Sequence, residues 1–175
     1  MKKAVAPIFL LLVCAVVAFA VQDSAWINYN SAEGRYSVVL PSQPEIGTQE
    51  SATADGVKLI QYKATVVKDN AVFMVGYFDH IPGTTFSFDK ARDGLVSAVK
   101  GTLLSESTIS LGSSPGREIK VVAKSEQGAE HLLHARFFDV DKRVYVLQYV
   151  ILKSENSNTT PANAAKYFDS FKVLN

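Results

Sequence analysis

The chain has 175 residues, with 18 Lys and Arg against 17 Asp and Glu and a formal charge of +1. Opposite charges are interleaved along the whole length, so the basic stripe that nucleic-acid binding requires is missing and no polyanion partner is implied. Cys14 is the only cysteine, which excludes an intramolecular disulfide.

The first twenty residues predict export. Lys2 and Lys3 precede an uncharged apolar run from Ala4 to Val21, and Ala18-Phe19-Ala20 supplies the small-x-small pattern of a signal-peptidase site. Lipidation of Cys14 is disfavoured because Val13 stands where a small residue is needed and the apolar run continues past the cysteine. The run is close to the shortest that can span a bilayer, so an uncleaved segment would act as an anchor, but Pro7 and the Ala18-Phe19-Ala20 site favour cleavage. The expected organisation is a signal peptide over residues 1–20 and one domain over residues 21–175, in the periplasm or secreted. Cleavage would remove Lys2, Lys3 and Cys14, leaving 155 residues with 16 basic and 17 acidic side chains. A chain of that size buries roughly 70% of its unfolded surface and needs no metal or disulfide to fold.

Downstream the pattern is mostly strand. Trp26 to Tyr29 and Arg35 to Leu40 read as short strands joined by the turn-rich Asn30 to Gly34, after which Pro41 and Pro44 interrupt pairing. Asp55-Gly56 is the strongest hairpin signal, joining a polar strand over Thr48 to Ala54 to one over Val57 to Val67. In the second of these, Ile60, Tyr62, Ala64 and Val66 share a face opposite Gln61, Lys63 and Thr65. Lys68-Asp69-Asn70 turns the chain into Ala71 to Phe78, which is apolar on both faces and therefore central and covered on each side.

From Phe86 the period changes. Ala91, Leu95, Val99 and Leu103 recur every four residues, which predicts a helix from Asp89, as its cap, to Leu104. Gly94, Ala98 and Gly101 form a small-residue strip suited to close approach to a sheet. Further strands follow over Glu106 to Leu111, Arg117 to Lys124, Glu130 to Val140 and Arg143 to Leu152, with turns at Gly112 to Gly116, Glu126-Gln127-Gly128 and Asp141-Lys142. The last strand is apolar on both faces and also central. Thr160 is the expected cap of a final helix with Pro161 in its first position and Ala164, Phe168 and Phe171 along one stripe; Asn158-Thr159-Thr160, though a glycosylation sequon, is the lead-in to that helix. The predicted fold class is α+β: an antiparallel sheet of about seven strands with one mid-chain and one C-terminal helix packed on opposite sides, an α/β/α sandwich.

Three segments resemble a known group. Tyr36-Ser37-Val38-Val39-Leu40-Pro41-Ser42-Gln43-Pro44, Ser113-Ser114-Pro115-Gly116-Arg117-Glu118 and Phe168-Asp169-Ser170-Phe171 are similar to segments of exported bacterial proteins with the Mog1/PsbP-like fold. The resemblance spans most of the chain beyond residue 20, and its motifs are turns and packing positions. It implies the sandwich fold and, by analogy, a non-enzymatic binding role, because proteins of this fold include extrinsic photosystem subunits, a Ran-binding protein and many uncharacterised envelope proteins.

Residue patterns that carry chemistry are weak. Gly112-Ser113-Ser114-Pro115-Gly116 matches the G-x-S-x-G nucleophile elbow, yet a strand follows it where an elbow needs a helix, so a hairpin turn is the better reading. His131 and His134 form H-x-x-H, but in a strand of period two they point to opposite faces, and His80 beside Asp79 joins either one only through tertiary folding. Asp139 with Asp141 fits a hairpin end, and Asp89 with Asp93 fits a helix start. Trp26, Tyr29 and Tyr36 are candidates to line a groove, and Phe86 with Phe88 to form a lid after Pro82-Gly83. No catalytic, metal or cofactor-binding residue is assigned. The expectation is an exported non-catalytic domain that binds a protein or cell-envelope component, with no cofactor; the alternative is a metal-binding protein or small envelope enzyme using His80, His131 or His134. A polar pocket around the histidines would favour the second reading, and an apolar patch the first.

Overall fold

The structure is a computed structural model that describes residues 26–52, 58–155 and 159–174. The N-terminal segment, with the expected export signal, and the Asp55-Gly56 turn lie outside the described residues. Among the described residues ten strands and two α-helices follow in the order β1 (Ile27–Ser31), β2 (Tyr36–Leu40), β3 (Glu45–Ala52), β4 (Lys58–Lys68), β5 (Ala71–Asp79), α1 (Phe88–Ala98), β6 (Thr102–Leu111), β7 (Ser114–Lys124), β8 (Glu130–Val140), β9 (Arg143–Leu152), α2 (Thr159–Asp169) and β10 (Lys172–Val173).

Seven strands form one antiparallel sheet in the order β3-β4-β5-β9-β8-β7-β6, so the two strands that read as apolar on both faces, β5 and β9, lie side by side near its middle. Two-residue turns set the register on each side of them. Asp69-Asn70 and Asp141-Lys142 all have positive φ (50°, 57°, 48° and 68°), the geometry of a type I′ turn whose twist matches the flanking strands. Lys68 therefore pairs with Ala71 and Val140 with Arg143. Gly112, at φ 60°, opens the Gly112-Ser113 turn of the β6–β7 hairpin, so Ser114 is a strand residue opposite Leu111 and no nucleophile elbow exists.

Helix α1 covers one face of this sheet. Ala91, Leu95, Val96 and Val99 pack with Phe86 and Phe88 over Ile119, Val121, Leu133, Ala135, Phe137, Val144 and Val146. Arg92 and Arg117 both pair with Glu106, tying the helix to the β6–β7 edge. The opposite face is covered by α2 and by a second, three-stranded sheet in the order β1-β2-β10. Tyr36, Val38 and Leu40 from β2 and Ala164, Tyr167, Phe168 and Phe171 from the α2 region pack there against Phe73, Val75, Tyr77, Tyr145, Leu147 and Tyr149. The Tyr167 hydroxyl donates to the Met74 carbonyl at 2.6 Å, securing α2 to β5 at a fully buried point. The predicted sandwich with helices on opposite sides is the observed one.

The predicted boundaries differ at both ends of α1, at the starts of β3, β6, β7 and α2, and at the turn after β4, where Lys68 belongs to the strand and only Asp69-Asn70 turn. Helix α1 is capped by Ser87, whose side chain accepts from the Lys90 N–H at 3.3 Å; Asp89 is instead inside the first turn, paired with Arg92 and Arg117. The helix stops at Ala98 because Lys100 takes φ 48° while Lys100 N–H and Gly101 N–H return to the Ser97 and Val96 carbonyls, the paired bonds of a Schellman ending. Leu103 continues the four-residue spacing only by coincidence and belongs to β6. The small-residue strip also divides: nothing lies within 4 Å of a Cβ placed on Gly94, whereas one on Gly101, beyond the helix, would meet Val121 Cγ1 at 2.5 Å. Strand β3 starts at Glu45, directly after Pro44, and α2 begins at Thr159, one residue before the expected cap.

Candidate functional site

The β1–β2 hairpin is bent over one end of the large sheet, and the space between them is a cleft. Four loop residues, Ala32 to Arg35, connect Ser31 to its partner Tyr36. The loop closes through the Arg35 N–H to Ala32 carbonyl bond (3.2 Å) and the Gly34 N–H to Ser31 Oγ bond (3.0 Å), with Arg35 at φ 51°. Gly34 is required there, since a Cβ would lie 2.5 Å from the Tyr36 ring. Below the loop, the Tyr145 hydroxyl donates to the Gly34 carbonyl at 2.9 Å, which fixes the loop to the first turn-proximal residues of β9.

The cleft holds about 230 Å³ and is open to solvent, lined by Tyr29, Asn30, Ser31, Ala32, Glu33, Tyr36, Ile46, Tyr62, Lys63, Ala64 and Tyr77. Four tyrosines dominate it. Tyr36 is buried and touches Tyr29, Tyr77 and Tyr145 with ring centroids 6.1, 6.4 and 6.2 Å apart. Tyr62 stacks on Tyr77 at 5.0 Å with the rings nearly parallel. Tyr62 is 41% exposed, and beside it Ile46 and Ile60 are 62% and 44% exposed, extending the cleft as an apolar shelf toward the free edge of the sheet at β3.

Arg143 closes the back of this cluster. It binds Asp79 in the two-pronged manner favoured by guanidinium and carboxylate, at 2.6 and 3.1 Å, donates to the Glu33 carbonyl at 2.8 Å, and lies 4.3 Å from the Tyr77 ring centre. The hydrogen bond from Arg143 holds the Asp79 carboxyl below its ordinary value. Burial pushes the Tyr36, Tyr77 and Tyr145 phenols up, so all three stay neutral hydroxyls at physiological pH. The lining contains no histidine, and Ser31 Oγ is already engaged by the loop. The arrangement offers ring faces and neutral hydroxyls, which suit binding and orientation.

The histidines are elsewhere and separate. His80 Nε2 lies 2.8 Å from Asp139 Oδ1, with its ring over Phe86. His134 is on the α2 face, 4.4 Å from the Phe168 ring centre; Glu118 Oε2 is 3.1 Å from its Nε2 but out of hydrogen-bond alignment, leaving that nitrogen without a bond. His131 sits three residues before it, opposite Ala123 and Leu152 and on the other face. Among the described residues no group of three or more His, Cys, Asp or Glu side chains is arranged to hold a metal ion.

Of the aromatic residues picked out in the sequence, Tyr29 and Tyr36 do line the cleft. Trp26 does not: its ring meets Phe73 edge-on at 5.5 Å and carries Lys166 Nζ 4.6 Å above it. Phe86 and Phe88 form no lid, because they pack on each other at 5.0 Å and against the core under α1. Sequence reasoning missed Tyr62, Tyr77, Glu33 and Ile46 as cleft residues.

No family model matches the sequence, and no curated protein matches it. Solved structures do. Cyanobacterial PsbP (CyanoP) from Synechocystis sp. PCC 6803 superposes with a TM-score of 0.57 at 8% identity, covering 89% of this chain and 96% of that one. The fold is PsbP-like. A protein of unknown function, PA94, from Pseudomonas aeruginosa is similar at 15% identity and a TM-score of 0.46, covering 79% of this chain and 91% of its own. At 8% identity the likeness between this PsbP-like chain and the cyanobacterial protein is one of fold.

Proposed function

We propose that this protein is an exported, non-catalytic domain that binds a protein or envelope component through the tyrosine cleft and the adjoining Ile46–Ile60–Tyr62 shelf. One observation carries the reading: at one end of the large sheet the exposed Ile46, Ile60 and Tyr62 side chains adjoin a tyrosine-lined cavity. Tyrosine supplies large contact area at small entropic cost and is enriched at binding hot spots. The apolar run before residue 21 supports export.

A photoreactive amino acid at position 62, with position 97 on exposed α1 as control, tests the surface in the native envelope. The expected result is a discrete adduct at 62 that excess unmodified protein competes away and that 97 does not form. Equal labelling at both positions would refute the assignment of the surface. For export, N-terminal sequencing of protein from the envelope fraction should begin at Val21, and a retained Met1 would make the segment an anchor.

A further inference from the structure

The cleft has the composition of an aromatic cage with an acidic rim. Tyr29, Tyr36, Tyr62 and Tyr77 surround it, and the Glu33 carboxylate is close enough to Tyr77 to oppose ionisation of that phenol. Arg143 reaches only the backbone carbonyl of Glu33 and makes its ion pair with Asp79, so the Glu33 carboxylate has no ion-pair partner among the described residues. Lys63 contributes to the wall, but its Nζ donates to Gln49 Oε1, and strand alternation puts both side chains on the face opposite Tyr62. Tyr36 and Tyr77 are buried, and Tyr77 is already flanked by the stacked Tyr62 ring from β4 and the Arg143 guanidinium from β9, so the rings left to meet a ligand are Tyr29 and Tyr62. The negative face of a phenol ring attracts a cation, most strongly when the cation is poorly hydrated, as alkylated ammonium groups are. A volume of about 230 Å³ is below the size of sites for larger ligands and fits one head group or one side chain. On β3, Glu50 pairs with Ile60 on the face that carries Tyr62, whereas Glu45 lies on the other face with Lys63.

We infer that the cleft binds an alkylammonium group, held by the accessible rings of Tyr29 and Tyr62 and by the Glu33 carboxylate. The inference rests on the cleft being the binding surface, and it names the chemistry that surface selects. Two sources present this chemistry: a small free ammonium compound and a lysine side chain of a protein partner.

Two matched pairs of probes test it on the purified protein by NMR titration: choline against the neutral isostere 3,3-dimethylbutan-1-ol, and N-acetyl-lysine methylamide against N-acetyl-norleucine methylamide. Cation–π attraction predicts that at least one cation binds roughly tenfold or more tightly than its neutral partner, with shifts centred on Tyr29, Glu33 and Tyr62. The pair with the larger ratio identifies the source. Tyr62→Leu, which keeps apolar area but removes the ring, and Glu33→Gln should each weaken the cation by about threefold or more and leave the neutral probe unchanged. Because both side chains are solvent-exposed, folded-state spectra of the two variants should match the parent. Equal binding of cation and isostere in both pairs, or no saturable binding of any probe, overturns the inference. Position-62 crosslinking reports on the surface independently, so an adduct there without cation preference removes the ammonium assignment alone.

Discussion

Replacing Tyr145 with phenylalanine deletes one oxygen atom and nothing else. The hydroxyl is buried in a residue 1% exposed, and its hydrogen bond to the Gly34 carbonyl links the middle of the large sheet to the loop that walls the cleft. Tyr145→Phe leaves the ring contacts with Tyr36 and Phe171 in place but strands the carbonyl of Gly34, a buried residue in an otherwise exposed loop. An unsatisfied buried acceptor costs about 1–3 kcal/mol. For a domain of this size that corresponds to a fall in Tm of roughly 2–4 °C per kcal/mol, or about 2–12 °C in all. Urea unfolding followed by tryptophan fluorescence should give a lower midpoint with an unchanged slope. Tyr167→Phe is the matched control, since it removes a buried hydroxyl that bonds the Met74 carbonyl instead of the loop. Both variants should lose stability, but only Tyr145→Phe should broaden or shift the amide signals of Ala32 to Arg35. A loss under about 0.5 kcal/mol, or loop signals that move equally in both variants, would refute the claim that this hydroxyl holds the cleft in shape.

Three further perturbations follow from the packing. Gly116→Ala would put a Cβ 2.6 Å from Phe138 Cδ1 and 2.8 Å from the Phe137 carbonyl, and this overpacking should cost about 1–3 kcal/mol; a denaturation midpoint at or above the parent would contradict it. Lys142→Gly relieves a left-handed φ of 68° in a type I′ turn and should stabilise by about 0.5–1 kcal/mol, so a destabilised variant would show that the lysine side chain contributes more than the turn strain. On acidification, burial outweighs Glu118 and holds His134 below its ordinary value of 6.5, so the unfolded chain takes up a proton there that the folded chain resists, and stability falls as pH drops through that range. Burial opposes ionisation of Glu118 too, but Arg136 and His134 prevail and hold its carboxyl below 4.5; its contribution is present above that value and lost as pH falls through the lower folded one. His134→Gln should flatten the stability profile between pH 7 and about 5 and keep the lower phase; an unaltered slope in the upper range would assign that phase to another group.

The large sheet was legible because its signals are local and redundant. Double-sided apolarity marked β5 and β9 as central, and the Asp141-Lys142 dipeptide fixed where β8 folds back into β9. The end of α1 was less legible because Leu103 extends the helical spacing by accident, while the terminating bonds depend on Lys100 adopting a left-handed φ that its identity does not advertise. The second sheet was invisible as a unit: β10 is two residues long, and its pairing with β2 joins positions more than 130 residues apart.

The candidate site was half legible for the same reason. Tyr29 and Tyr36 stood out as aromatics in a short hairpin, but Tyr62 and Tyr77 read only as core positions on alternating strands. Their meeting was nevertheless encoded. A two-residue turn at Asp69-Asn70 pairs Lys68 with Ala71 and, counting outward, puts Tyr62 opposite Tyr77; a three-residue turn of Lys68-Asp69-Asn70 would have slipped the register by one and turned Tyr62 to the other face. What no local signal carries is the hairpin closing over that pair. That contact depends on Gly34 leaving room for the Tyr36 ring and on the Tyr145 hydroxyl reaching the loop from more than 100 residues away in sequence. The core of this fold is thus written in periodicity, whereas the cleft is written in one register choice, one glycine and one buried hydroxyl, which is why single substitutions at Tyr62 and Tyr145 separate binding from folding.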